Sequence, residues 1–318
     1  METSSRKLEP MKNTLFVSTY YNNPAFIDLQ LKSFKKFVGD DFDLMVTDDS
    51  EDTTKSLVTG QPVRPEIRRE CSRLGVRYVQ VPQTIHATIS NGGLVPNGFP
   101  ANHPTERHRA TLHWIVRNHQ TLGFHEYKTV VLTESDLFVK KPINVSKYME
   151  DYDLIGTGRP KVHLTNQHSA SQYWPEEIKH LDEITVDFFT MYMLFVNMQR
   201  VNNLEQIDIG GFAGTDTGGK TSFFLKNNPH YKHLFLHIGN NREYQVDLFS
   251  KGPPGDDEAE FIHYRGGSNW DYQSLDYYRE KLNRLLKRYV PDLYEPNMRV
   301  AQQNLTSRDG EHTFFKDK

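Results

Sequence analysis

Residues 128–142 read KTVVLTESDLFVKKP, and the first half of this stretch is apolar and β-branched. Thr129, Val130, Val131 and Leu132 form the continuous run that a strand buried on both faces of a parallel sheet requires. The run passes straight into Thr133-Glu134-Ser135-Asp136, where two carboxylates stand one residue apart. Lys140-Lys141-Pro142 is expected to end the strand, because proline has no N–H for a ladder. Open α/β sheets bind their ligands at the carboxyl ends of strands. A carboxylate pair at such an end is placed to hold a divalent cation through oxygen, with substrate phosphates completing the coordination. A solvated turn after a strand is the competing reading of the same four residues.

On the N-terminal side, residues 13–21 (NTLFVSTYY) read as a first strand. Residues 24–38 follow with Phe26, Ile27, Leu29, Leu31, Phe34 and Phe37 at helical spacing. A second strand over 42–47 runs into Asp48-Asp49-Ser50-Glu51-Asp52. A mixed-charge helix over 64–75 and a third strand over 76–81, closed by Pro82, come next. This alternation predicts a parallel, doubly wound sheet. Residues 83–104, with Asn91-Gly92-Gly93, Pro96, Gly98 and Pro100, have no periodicity and read as a long binding loop. A helix over 105–118, with Thr105 as its N-cap, carries Arg107, His108 and Arg109 near its start.

On the C-terminal side, a short apolar run ends at Gly156, and residues 157–183 are polar and read mostly as loop. Residues 184–196 (ITVDFFTMYMLFV) form one or two core-crossing strands. A glycine-rich stretch over 207–217 precedes a short helix from Thr221, which Pro229 stops. Short strands are expected over 234–238 and 260–263, a turn over 252–257 and an amphipathic helix over 274–289. The expected organisation is a tail over 1–12, two halves of a single large domain over 13–160 and 161–270, and a helix and tail over 271–318.

The chain has 318 residues, 36% hydrophobic and 25% charged, as expected of a soluble globular protein. Its net charge of -3 argues against a nucleic-acid partner, which would call for a basic footprint. No apolar run approaches a transmembrane span, and the first residues lack a signal-peptide core. The single cysteine, Cys71, excludes an internal disulfide framework, so a cytoplasmic location is expected. The fourteen histidines are scattered without zinc-ligand spacing.

Several segments, in the right order, resemble GT-A glycosyltransferases. LMVTDDSEDTT at the second strand end resembles the acidic strand end that contacts base or ribose in that family, with Asp48 and Asp49 at the matching positions. The helix PTERHRATLHWIVRN followed by YKTVVLTESDLF resembles the helix and strand preceding the family's D-x-D metal motif. Here Glu134 stands in the first place and Asp136 in the last. The segment from Phe261 to Trp270 resembles the histidine-glycine-tryptophan segment of glycogenin-like members. The resemblance implies Asp136 as a direct ligand of Mn2+ or Mg2+, His263 as a further ligand, Glu134 as a group that binds the metal through water or contacts the ribose, and Gly266 and Gly267 facing the diphosphate. Ser18 and Thr19 at the first strand end join the expected donor contacts. Arg107 and Arg109 suit the diphosphate, since guanidinium matches phosphate geometry. Asp216 is the expected catalytic base, with Asp182, Glu183 and Asp187 as rivals. Trp174, Tyr173 and Trp270 are candidates for stacking on sugar or base, or for the core.

These features together predict an α/β, GT-A-like chain with a mixed, mainly parallel sheet flanked by helices and a C-terminal helical extension. The expected activity is metal-dependent, inverting transfer of a hexose or pentose from a UDP- or GDP-sugar to a hydroxyl of a glycan acceptor. Two other readings stay open. Gly214 to Thr221 matches G-x-x-x-x-G-K-[ST], a P-loop built on Lys220, although a P-loop follows a firm strand and opens a full helix. A non-catalytic sugar-nucleotide or glycan-binding protein would also fit, with Glu134 marking a decayed site.

Overall fold

The computed structural model describes residues 11–56, 60–86, 104–165, 178–211, 215, 217–238, 245–248 and 259–263, and the single positions 284, 287 and 291. The expected turn over 252–257, the body of the helix over 274–289 and the tail lie outside the described residues.

The N-terminal half alternates strand and helix: β1 (Lys12–Tyr20), α1 (Ala25–Phe37), β2 (Phe42–Asp48), α2 (Val63–Leu74), β3 (Arg77–Gln80), α3 (Pro104–Arg117) and β4 (Tyr127–Glu134). β1 is parallel to both β2 and β4, and β2 is parallel to β3. β1 and β4 are covered on both faces, and their alternating residues sort cleanly. Leu15, Val17, Val130 and Leu132 pack with Leu112, Ile115 and Val116 of α3. Phe16 and Val131 point the other way, into a cluster with Leu31 and Phe34 of α1.

Beyond β4 the chain adds β5 (Leu137–Val139), α4 (Val145–Met149), β6 (Leu154–Thr165), β7 (Glu183–Asn197), α5 (Thr221–Asn227), β8 (His233–Ile238), β9 (Gln245–Leu248) and β10 (Phe261–His263). Among the described residues the sheet has ten strands in the order β3-β2-β1-β4-β7-β6-β8-β9-β10-β5. It is therefore mixed. Its N-terminal half is parallel, and its C-terminal half is antiparallel apart from the β6–β8 pair.

Two expectations are corrected. Residues 157–165 belong to a twelve-residue strand, not to a loop. Gly156, Gly158 and Arg159-Pro160 break its apolar pattern, and its pairing with β7 shifts register between Gly156 and Gly158 and again between Arg159 and Val162. Pro160 falls within the second irregularity, which is where a sheet tolerates proline. Secondly, Pro142 does not end the organising strand. β4 stops at Glu134, and a two-residue turn leads into β5.

The strand order fixes where a ligand can enter. From β1 the chain winds outward through β2 and β3, then returns to place β4 on the other side of β1. That reversal makes the carboxyl ends of β1 and β4 the topological switch point, where an open sheet leaves a crevice. Thr19 on β1 lies in register with Glu134 on β4 at this point.

Candidate metal centre at the switch point

The turn Glu134-Ser135-Asp136 gains its third polar group from a distant part of the chain. β10 lies antiparallel to β5 with His263 opposite Leu137. The pairing brings the imidazole back over the turn. His263 Nε2 is 2.8 Å from Glu134 Oε2 and 3.2 Å from Asp136 Oδ1. One donor atom from each of the three residues lies within 4.8 Å of the others. His263 and Asp136 are buried, and Glu134 is half-buried.

Burial alone would lower the His263 pKa. Asp136 and Glu134 outweigh it and push the imidazole up to about 10, so a proton sits between the carboxylates. A divalent cation suits the same place. Oxygen ligands at bond lengths of roughly 2.1 Å stand about 3 Å apart when adjacent in an octahedral shell, close to the separations seen here. Two carboxylates with one imidazole form a donor set that could hold a divalent metal ion.

Neighbouring residues complete the surroundings. His108 Nδ1 of α3 lies 3.4 Å from Glu134 Oε1. The Tyr192 ring of β7 lies 4.5 Å, centroid to centroid, from His263. Gln30 of α1 donates to the backbone carbonyls of Glu134 and Leu137, each at 2.9 Å. The sequence reading assigned no role to Gln30. Its signal was there, a polar residue on the apolar face of a helix, which must find partners when buried.

The second acidic strand end has a different fate. Asp48 is fully buried. Its Oδ1 accepts from the Ser50 N–H and hydroxyl at 2.9 and 2.5 Å, and its Oδ2 accepts from the Tyr78 hydroxyl at 2.7 Å, with Arg64 Nε at 3.6 Å. Burial raises its pKa, and these donors oppose the rise. The expectation that Asp48 contacts the donor is therefore corrected, because both oxygens are engaged by Ser50 of its own loop, Tyr78 of β3 and Arg64 of α2. Asp49 is held between His86 Nε2 at 2.6 Å and Arg107 Nε at 3.0 Å. Arg107 also reaches Glu51 and the Asp49 carbonyl, and it lies over the Tyr21 ring at 4.6 Å.

Ser18 is fully buried within the sheet, which removes it from the expected contacts. Thr19 is half-buried, 3.1 Å from Thr47 at the crevice. Arg109 packs beside Gly210. Asp216, Gly266, Gly267, Tyr173, Trp174 and Trp270 lie outside the described residues. Of the rival bases, Asp187 accepts from the exposed Lys161 N–H at 2.6 Å, and Glu183 lies 3.4 Å from His163.

The structure also overturns the P-loop reading. No strand is formed over 207–211 ahead of it, and α5 is seven residues long. Among the described residues, two of the N–H groups that would cradle phosphate are engaged, Gly218 to the Ile209 carbonyl at 2.7 Å and Lys220 to that of Gly210 at 2.8 Å. The glycine serves packing. Gly218 has φ +98°, and a Cβ there would sit 1.9 Å from the Phe189 carbonyl oxygen of β7. The Thr221 hydroxyl accepts from the Phe189 N–H, and Lys220 lies 3.5 Å from Asp208.

A cavity of 690 Å³ opens at the opposite end of the sheet, lined by Lys12, Asp43, Arg77 and Tyr127 at strand N-termini. Ligands of such sheets bind at the other end, so the candidate site is placed at the acidic turn. Among the described residues no helix is long and apolar enough to cross a membrane.

No protein-family model and no curated protein matches the chain. Among solved structures it is similar to the galactosyltransferase LgtC in complex with donor and acceptor sugar analogs, at 13% identity and a TM-score of 0.40, over 89% of this chain and 99% of that one. An active-site mutant of LgtC aligns at 11% identity and a TM-score of 0.41, over 85% of this chain and 95% of that one.

Proposed function

We propose that the chain is a metal-dependent glycosyltransferase that moves a sugar from a nucleotide diphosphate sugar to a hydroxyl of a glycan acceptor. The observation that carries this reading is the meeting of Glu134, Asp136 and His263 at the switch point of the sheet. Asp136, Glu134 and His263 would hold Mn2+ or Mg2+, which when bound offsets charge on the leaving diphosphate. The residues then divide the work by position. Thr19 lines the crevice on the β1 side. Asp49 fixes Arg107 beside Tyr21, giving a cationic and aromatic wall that suits a nucleotide. Asp216 is assigned the proton of the acceptor hydroxyl in an inverting reaction, on sequence grounds.

The test is release of free sugar or nucleoside diphosphate from a panel of UDP- and GDP-sugars with Mn2+ present. Thermal shift on the same panel reads binding, since stabilisation grows with ligand concentration over Kd. Hydrolysis of one donor that requires Mn2+ supports the transferase. Donor binding without turnover, with or without acceptors, favours a binding protein and contradicts the enzyme reading.

A further inference from the structure

The turn that carries both acidic groups faces a physical difficulty. Glu134 and Asp136 repel each other, and a two-residue turn between a strand end and a three-residue strand has little ladder to hold it. Like charges brought close in a partly buried place cost free energy that the backbone must resist.

α1 supplies a restraint. Gln30 is fully buried on the helix face that meets β5. Its side-chain nitrogen donates one hydrogen bond to the Glu134 carbonyl and one to the Leu137 carbonyl, both at 2.9 Å. These carbonyls bracket Ser135 and Asp136, so one planar amide ties both ends of the acidic turn. The amide's orientation is fixed from behind. The Tyr20 hydroxyl donates to Gln30 Oε1 at 3.0 Å. Burial holds the Tyr20 phenol well above its ordinary pKa, so it remains a donor. A turn further along α1, the Ser33 hydroxyl donates to the Gln30 carbonyl at 3.0 Å and accepts from the Val139 N–H at 3.2 Å, which fastens the far end of β5.

We infer that Gln30, oriented by Tyr20, is a positioning residue that holds the Glu134–Asp136 turn in its cation-binding shape. The inference rests on the metal reading above. It differs from a plain packing role because the amide's two N–H groups act on the two carbonyls that set the separation of the carboxylates. An apolar replacement of similar length fills the space and removes the one group that bonds both carbonyls. Loss of the Tyr20 hydroxyl leaves the packing and frees the amide to turn its oxygen towards those carbonyls, which repel it.

The experiment is titration of the full chain with Mn2+ alone, read by electron paramagnetic resonance as free against bound ion, on the wild type, Gln30→Met and Tyr20→Phe. Melting temperatures are recorded without metal. Groups that orient metal ligands are worth roughly ten- to a hundredfold in affinity, so Gln30→Met is expected to weaken Mn2+ about tenfold. Tyr20→Phe is expected to weaken it less, in the same direction. Lower melting temperatures with wild-type Mn2+ affinity in both variants would overturn the inference, because the hydrogen bonds would then serve the fold alone. Should Gln30→Met fail to fold, Tyr20→Phe decides, with unchanged affinity counting against the inference and weakened affinity for it. A wild type that binds no Mn2+ would instead remove the metal reading itself, a result distinct from either.

Discussion

Two strand ends in this molecule carry the same signature, a buried parallel strand running into closely spaced carboxylates. At the end of β2, Asp48 and Asp49 are met by the guanidiniums of Arg64 and Arg107, the His86 ring and the hydroxyls of Ser50 and Tyr78. At the end of β4, Glu134 and Asp136 are met by the imidazoles of His263 and His108. A guanidinium stays charged at any working pH and locks its carboxylate into structure. An imidazolium can release its proton to solvent when a cation binds in its place, and the neutral ring is then itself a ligand. Acidic residues at a strand end are therefore an ambiguous sign until their partners are known. Under the proposed function the β2 end serves as a scaffold and the β4 end receives the cation.

The strongest way to break this contrast is to remove one carboxylate from the β4 end. Asp136→Ala is expected to lower Mn2+-dependent donor turnover by roughly a thousandfold, the scale of the several kcal/mol that a metal contributes to transition-state charge. The fold should survive, since that loss leaves His263 with Glu134. Normal Mn2+-dependent turnover would show that the β4 end is an ordinary turn.

The β2 end should answer in stability instead. Arg107→Leu leaves Asp49 and Glu51 without their guanidinium, and breaking a largely buried pair costs about 3 kcal/mol. Urea unfolding of the variant measures that loss, and its Mn2+ affinity should match the wild type. A stable variant that has lost Mn2+ would reverse the roles of the two ends.

The smallest expected effect sharpens the contrast at a third carboxylate. Burial alone would raise the Asp208 pKa, but the His113 ring at 2.9 Å, the Gly210 N–H and Lys220 hold it well below the usual carboxylate range. Its folded pKa lies below its unfolded one. Its contribution to stability is therefore present above about pH 4, the ordinary aspartate value, and is lost as pH falls towards the folded value. Asp208→Asn should flatten the acid limb of a stability-against-pH curve. An unchanged limb would assign acid sensitivity to other groups.

The parallel half was legible because its signals are local. β1, α1, β2 and β4 each carry their own periodicity, and Glu134 and Asp136 sit where such a strand must end. His263 was legible through its resemblance to a known segment. What could not be read depends on partners far along the chain. β6 is hidden by Gly156, Gly158 and Pro160, and its pairing with β7 supplies the order that its own sequence lacks. β5 is three residues long and exists as a strand through β10. The same limit applies to Asp48, whose neutralising partners come from α2 and β3. Lys220 and its glycines matched a motif whose preceding strand and full following helix are not formed among the described residues.

The most direct measurement is a Mn2+ titration by electron paramagnetic resonance on three proteins: the wild type, Asp136→Asn and Asp49→Asn. The two variants remove one negative charge from each acidic strand end. A single Mn2+ site is expected in the wild type, lost in Asp136→Asn and kept in the folded fraction of Asp49→Asn. Binding that survives Asp136→Asn, or that disappears with Asp49→Asn alone, would contradict this expectation.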